Sequence, residues 1–387
     1  MSRSYDLAVI GLGALGSSTA WHTARRGLSV IGLEQFELGH ERGASHDSSR
    51  ILRHSYHTPA YVDLTFAAYD DWAVLEAETG EQLVTVTGGV DLFPDGAVIP
   101  IDDYTSSMSA RSVPFEVLDV DDVAARYPQL ILPQGTTALF QERTAIVPAA
   151  RGTAAMARRA VAHGAVLRDR SPVHAIVPRT DGVDLVCADG TAYSAARVVV
   201  SADAWTSALL APLGWDLPLT VTEEQVTYFA PVDPELFRPG RFPVWIWMDE
   251  PSYYGFPTYG EDTVKAAQDC GGPPVTGDDR SGIEDAAMRD RLASFMAATF
   301  PGSGAPVRSK RCLYTLTPDR DFVVSTVPGH EQVVVGLGAA HGFKFAATFG
   351  RLLTDLAVDG TTSADISAFG LDRPGLTDPA YEPNWMV

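Results

Sequence analysis

Six residues, Gly-Leu-Gly-Ala-Leu-Gly at positions 11–16, limit what this 387-residue chain can fold into. They follow a short apolar stretch, "DLAVI", and open a helical one, "SSTAWHTARRG", which ends on glycine before a second apolar strand, "SVIGLE". In this βαβ setting each glycine has a mechanical reason. Gly11 permits a tight turn, Gly13 lets a pyrophosphate approach the backbone, and Gly16 allows close helix packing. The helix N-terminus offers free N–H groups and the positive end of its dipole to phosphates. Glu34, closing the second strand, is the acid expected to hold ribose hydroxyls. A dinucleotide is expected here, and the glycines alone do not separate NAD from FAD.

A chain of this length exceeds the size at which one core stops growing, so two domains are expected. Stretches with α/β texture lie at both ends and in the middle, with strand-rich segments between them. The expected nucleotide-binding domain is therefore discontinuous, over 1–85, 145–215 and 310–387, with a second domain over 86–144 and 216–309. The Gly/Pro-rich "CGGPPVTGDDRSG" reads as an exposed loop. With 49 acidic against 29 basic residues the net charge is −20, which repels phosphate backbones and argues against nucleic acid as a partner. No apolar run approaches the roughly 20 residues that span a bilayer, and no signal peptide is read at the start. Cys187, Cys270 and Cys312 are widely separated and fit neither a disulfide framework nor a metal pattern. A cytoplasmic protein without a metal or a membrane association is expected.

Positive charge is scarce, so its clusters are informative. In "GASHDSSRILRHSYH", His46, Arg50 and Arg53 stand at spacings of four and three, and a helical reading puts them on one face. Asp47 is the one carboxylate nearby, so two arginines are left seeking an anion. In "AHGFKFAATFG", Lys344 lies between Phe343 and Phe345; a buried ammonium there must reach solvent or meet a counter-ion. A carboxylate held by Arg53 and Lys344 gains roughly 1.5–3 kcal/mol per charge-assisted bond. In "RCLYTLTPDRDF", Arg311 beside Cys312 favours a thiolate. On a strand reading of "TVKAAQD", Lys265, Ala267 and Asp269 face one way, and "FPVWIWMDE" places Trp245 and Trp247 on one face.

Taken together, "GLGALG" with Glu34, "SHDSSRILRHSY", "YYGFPTYG" followed by Lys265, "RCLYTLTPDRDF" and "HGFKF" resemble a known family. It comprises monomeric sarcosine oxidase, N-methyltryptophan oxidase and the bacterial fructosyl amino acid oxidases, within the D-amino-acid-oxidase-like FAD enzymes. The matches run in the family's order over almost the whole chain. The resemblance implies an α/β fold: an FAD-binding Rossmann-like domain of the glutathione-reductase type, plus a second α+β substrate domain with a mixed or antiparallel sheet. It implies that Gly11, Gly13, Gly16, Glu34, Val173 and Gly342 bind FAD, carried covalently as an 8α-S-cysteinyl thioether on Cys312. His46 and Arg50 are then expected against the flavin ring, and Lys265 where oxygen is reduced. Arg53 and Lys344 are expected to bind the substrate carboxylate, and Tyr254 and Tyr314 to line the pocket.

The chain departs from this pattern at several positions. Asp269 replaces the histidine of sarcosine oxidase, as an acid does in fungal fructosyl enzymes; it either takes a catalytic, substituent-reading place or pairs with Lys265. Trp245 replaces a slimmer methionine and either binds substrate or fills the core. Asp203 stands where relatives usually have glycine. The implied activity is oxidation, by oxygen, of the C–N bond of an N-methyl or fructosyl amino acid, giving the free amine, a carbonyl product and hydrogen peroxide. A monomer acting on a secondary amine is expected. The alternatives are a cyclic secondary-amine (pipecolate-like) oxidase and an NAD-dependent dehydrogenase, which leaves Cys312 and the arginines unexplained.

Overall fold

The computed structural model describes residues 4–384, built around two large sheets and one small one. The first has a parallel centre. Strand Ser4–Ile10 lies between Val30–Leu33 and Ala192–Val200, with Val166–Arg168 and His330–Leu337 extending it on either side. Its valine- and isoleucine-rich strands are buried on both faces, as parallel strands require. The antiparallel hairpin Val173–Arg179 and Gly182–Cys187 and the strand Val323–Val327 complete it.

Helix Ala14–Arg25 is buried almost all round, because helices Ala149–Ala162 and Ala346–Asp359 flank it. The latter comes so close that a Cβ at Gly350 would sit 2.1 Å from the Ser18 hydroxyl oxygen. The long helix Pro59–Thr79 begins with proline in its first turn and ends on Gly80 in a left-handed conformation, each residue suiting its end.

The second sheet has nine strands and is antiparallel except where Val244–Trp247 runs parallel to Gly89–Phe93. Its longest ladder joins Thr220–Ala230 to Ala305–Leu316 and sets Glu224 opposite Cys312. That strand runs through position 310, and Cys312 belongs to the second sheet. Helix Ala286–Thr299 covers the outer face through Leu292 and Met296.

Three short strands, Arg50–Leu52, Ala145–Val147 and Thr85–Val86, form the small sheet. The stretch from His46 to Arg53 is therefore a loop and a strand, contrary to the helical reading. Asp47, at φ +77, leaves the helical region, and Arg50 spends its donors on the loop's own carbonyls. The "CGGPPVTGDDRSG" segment is largely exposed, as expected, and is held at its backbone by hydrogen bonds to Glu223 and Glu224. Among the described residues, no helix is long and apolar enough to cross a membrane.

Candidate functional site

The glycine turn is built as its spacing requires. Gly11 has φ +85, and a Cβ there would lie 2.5 Å from the Ser201 carbonyl oxygen. A Cβ at Gly16 would lie 1.8 Å from the Gly11 carbonyl oxygen. At Gly13 the facing group is the Ser45 hydroxyl, which accepts from the Ala14 N–H at 2.9 Å at the mouth of the helix. Glu34 accepts from the N–H groups of Leu12 (2.8 Å) and Phe36 (3.1 Å), and His40 lies 3.3 Å away. Burial works against this charge, yet those bonds hold the carboxyl below its ordinary range. The Ser171 N–H donates to the Glu34 carbonyl at 2.7 Å, two residues before Val173 opens its strand. Asp203, three residues past the strand Ala192–Val200, has φ +47, a conformation that favours glycine.

Beyond the turn, one cavity is lined by His46, Asp47, Arg50, Arg53, Tyr254, Asp269, Cys312, Tyr314, Arg320 and Lys344, among others. His46 is buried and both its ring nitrogens lack a protein partner. Burial and then the Arg50 charge lower its pKa to about 4, so the ring is neutral near pH 7. Arg50 donates to the carbonyls of Ser49 (2.8 Å), Ala44 (2.9 Å) and His46 (3.0 Å). Burial pushes the Cys312 thiol up to about 11, with Arg50 the largest influence in the other direction. Arg311 does not supply that influence. Strand alternation turns it to the opposite face, where it donates to the Glu223 carbonyl at 2.8 Å and pairs with its carboxylate at 3.3 Å.

Lys265 does not line the cavity itself; it reaches the wall through Asp47, which it bonds at 3.0 Å while donating to the Ser49 carbonyl at 2.8 Å. Tyr228 donates to the other Asp47 oxygen. Desolvation opposes the Asp47 charge, but Lys265 holds the carboxyl far below its usual range. The expected alternative of a Lys265–Asp269 pair is thereby excluded, since Asp269 belongs to Arg320. The Arg320 Nη2 lies 3.0 Å from one Asp269 oxygen and 2.7 Å from the other. The Tyr254 and Tyr314 hydroxyls lie 3.3 Å apart in the same wall.

Arg53 is buried and pairs with Asp91 at 2.9 Å, with its guanidinium 5.2 Å from the Tyr56 ring centre. Lys344 is buried too, but donates to the Tyr56 hydroxyl (2.7 Å) and the His341 carbonyl (3.0 Å), with no carboxylate partner among the described residues. Burial first, then Arg53 and Arg320, drive its pKa well below the usual lysine value. Gly342, next to His341, starts the short turn that carries Lys344 and donates its N–H to the Gly338 carbonyl at 2.7 Å.

Of the two readings of Trp245, core filling holds and substrate contact does not. Trp245 is 1% exposed and points away from the cavity, with its ring 4.4 Å from that of Phe300; Ile246, on the opposite face of the strand, lines the cavity instead. Trp247 shares the tryptophan face, 5.5 Å from Phe295. Three partners were not read from sequence: Asp91 for Arg53, Asp47 for Lys265, and Arg320 for Asp269. Asp47 and Arg320 sat inside motifs already singled out; nothing local marked Asp91.

The residues present fit an FAD. A glycine turn opens a helix at its N-terminus, an acid closes the neighbouring strand, and an orphaned imidazole, an arginine and a buried thiol share one wall. A family model described as FAD dependent oxidoreductase matches residues 6–356. Monomeric sarcosine oxidase of Streptomyces avermitilis is 35% identical over 383 residues, covering 95% of this chain and 97% of that protein. N-methyl-L-tryptophan oxidase of Yersinia pestis is 31% identical over 383 residues, covering 95% and 99%. Among solved structures, NikD, an unusual amino acid oxidase essential for nikkomycin biosynthesis, superposes with a TM-score of 0.85 at 30% identity, covering 95% and 98%.

Proposed function

The chain belongs to the FAD dependent oxidoreductase family, and on that premise we propose that it oxidises the C–N bond of an N-substituted amino acid. The products are the free amine, a carbonyl compound and hydrogen peroxide. The observation that carries this reading is the single cavity wall that unites Cys312 and Arg50 with the carboxylate-free Lys344, drawn from distant parts of the chain. A buried ammonium without a counter-ion is costly, and a substrate carboxylate relieves it.

Bound FAD supplies the two-electron acceptor and returns the electrons to oxygen. Gly11, Gly13, Gly16, Glu34 and Val173 would hold its ADP half, Gly342 would lie against it, and Cys312 would carry it as a thioether. Arg50 and the neutral His46 would face the ring, where the fixed Arg50 charge stabilises negative charge without reorganising. Lys265 acts from behind Asp47: by cancelling that carboxylate it keeps negative potential from the place where oxygen is reduced. Arg53 and Lys344 seat the substrate carboxylate, with Arg53 held rigid by Asp91. Tyr254, Tyr314 and Asp269 face the nitrogen substituent. Relatives named for sarcosine and N-methyltryptophan support a methyl group there, while a carboxylate in the wall supports a hydroxylated one such as 1-deoxyfructosyl. Three free cysteines and the acidic surface suit a monomer in a reducing cytoplasm.

Two measurements test the proposal. Acid precipitation of the purified protein is expected to leave a yellow pellet, and Cys312→Ser to release the colour to the supernatant; colour released from the unmutated protein would exclude the thioether. A peroxide assay with sarcosine, other N-methyl amino acids and fructosyl amino acids is expected to find turnover in at least one class. Peroxide from none of them rejects the oxidase reading.

A further inference from the structure

The cavity wall contains two carboxylates, and the way each is neutralised has a consequence for the substrate. Asp47 is bonded by Lys265 and Tyr228. Asp269, extending from the strand Val264–Gln268, is chelated by one Arg320 nitrogen, at 3.0 and 2.7 Å. Arg320 comes from the turn between the strands Ala305–Leu316 and Val323–Val327, is 4% exposed, and adopts φ +59. Its place is fixed by the backbone too, since its N–H donates to the Thr317 carbonyl at 3.1 Å and its carbonyl lies 2.9 Å from His341 Nε2. The other ionisable groups near Asp269 are Tyr314, Tyr254, Cys270, Glu224 and Lys344.

Arg50 and Lys344 make no ion pair among the described residues. With both carboxylates cancelled, the fixed charge of Arg50 leaves the wall positive overall. An uncancelled Asp269 would reverse that locally and favour a cation beside it. Oxidation at a carbon next to nitrogen draws on the nitrogen lone pair, which a proton occupies. Resting on the amino-acid oxidase reading above, we propose that Arg320 is a specificity-determining residue: by cancelling Asp269 it stops the cavity from holding the substrate nitrogen as an ammonium and favours the neutral, oxidisable amine.

The test compares two ligands of one shape that differ by the charge at the nitrogen position. Glycine betaine carries a permanent cation there, and 3,3-dimethylbutanoate carries carbon. Their affinities for the holoenzyme are measured by calorimetry at constant pH and salt, so no turnover is required. The unmutated protein is expected to prefer 3,3-dimethylbutanoate. Arg320→Gln is expected to shift the affinity ratio toward betaine by about tenfold or more, as an uncompensated charge a few ångströms away in a medium of intermediate dielectric should. Asp269→Asn shifts the ratio the opposite way, and the Arg320→Gln/Asp269→Asn pair returns it toward the starting value. If Arg320→Gln does not fold, Asp269→Asn still decides the sign. A merely structural role would weaken both ligands alike, and an unchanged ratio in the single variants overturns the proposal. If neither ligand binds the unmutated holoenzyme, the amino-acid site reading fails and takes this inference with it.

Discussion

Lys265 keeps its charge in a place where burial opposes it. Desolvation is the largest influence and lowers its pKa from 10.5 to about 8, while Asp47 pulls the other way. The sign for activity follows directly, because the ammonium is present below about 8 and is lost as pH rises through that value. Oxygen reduction builds negative charge that a nearby ammonium stabilises, and removing one preorganised group of this kind costs about 10²–10³ in rate. Reoxidation of the reduced enzyme by oxygen, followed by stopped flow, is therefore expected to slow as pH rises through about 8. Lys265→Met should be slow at every pH with that step absent. A step of the same size in Lys265→Met would assign the titration to another group. The residue scale also shows what was legible in sequence. Cys312, Lys344 and the glycines could be singled out because each is chemically odd where it stands. Their partners could not: Arg53 and Asp91 are 38 positions apart, and Lys265 and Asp47 are 218 apart. Such pairings are made by the packing of elements, which local spacing does not encode.

At the scale of elements, the Gly/Pro-rich segment after Asp269 shows the same divide. Its composition correctly marks irregular backbone but says nothing of docking, and the groups that hold it lie on another strand. Glu224 accepts from the N–H groups of Gly271 (3.1 Å) and Gly272 (2.9 Å). Glu223 accepts from the Ser281 N–H (3.1 Å), the Ser281 hydroxyl (3.0 Å) and the Gly282 N–H (2.7 Å). Trp205 donates to Asp278 at 2.9 Å, tying the segment to the end of the first sheet's Ala192–Val200 strand. The helical reading of His46–Arg53 failed for a related reason, since carbonyls that would have joined a helix are taken by the Arg50 side chain. Bonds to a charged group contribute about 1.5–3 kcal/mol each, so Glu223→Ala should open the segment locally while the sheets stay folded. Cleavage by trypsin after Arg280, followed by mass spectrometry, is expected to accelerate about tenfold or more, because proteolysis tracks the open population. An unchanged cleavage rate would show that Glu224 and Trp205 suffice to hold the segment.

The whole molecule carries a net charge of −20, and its ion pairs fall into two groups with different sensitivity to salt. Arg53–Asp91, Lys265–Asp47 and Arg320–Asp269 are largely buried, with side-chain exposures of 6%/7%, 3%/5% and 4%/18%. Counter-ions screen such pairs little. Many of the remaining pairs, such as Arg111–Asp63 and Arg126–Glu116, lie at the surface, where an exposed pair contributes about 0–1 kcal/mol. Against these small attractions stands the mutual repulsion of the excess carboxylates, which acts over many longer distances and opposes the compact state. Raising the ionic strength from about 0.01 to 1 M shortens the screening length from about 30 to 3 Å. Repulsion between distant carboxylates is then lost, while the buried pairs at the site keep their attraction. The melting temperature of the protein is therefore expected to rise by several degrees over that range of NaCl, with the steepest gain below about 0.2 M, where screening first falls within the spacing of surface charges. Differential scanning fluorimetry across the series checks this. A melting temperature that falls with salt would mean that the surface ion pairs outweigh the charge excess, and that the acidic composition is balanced locally rather than left as a net strain on the fold.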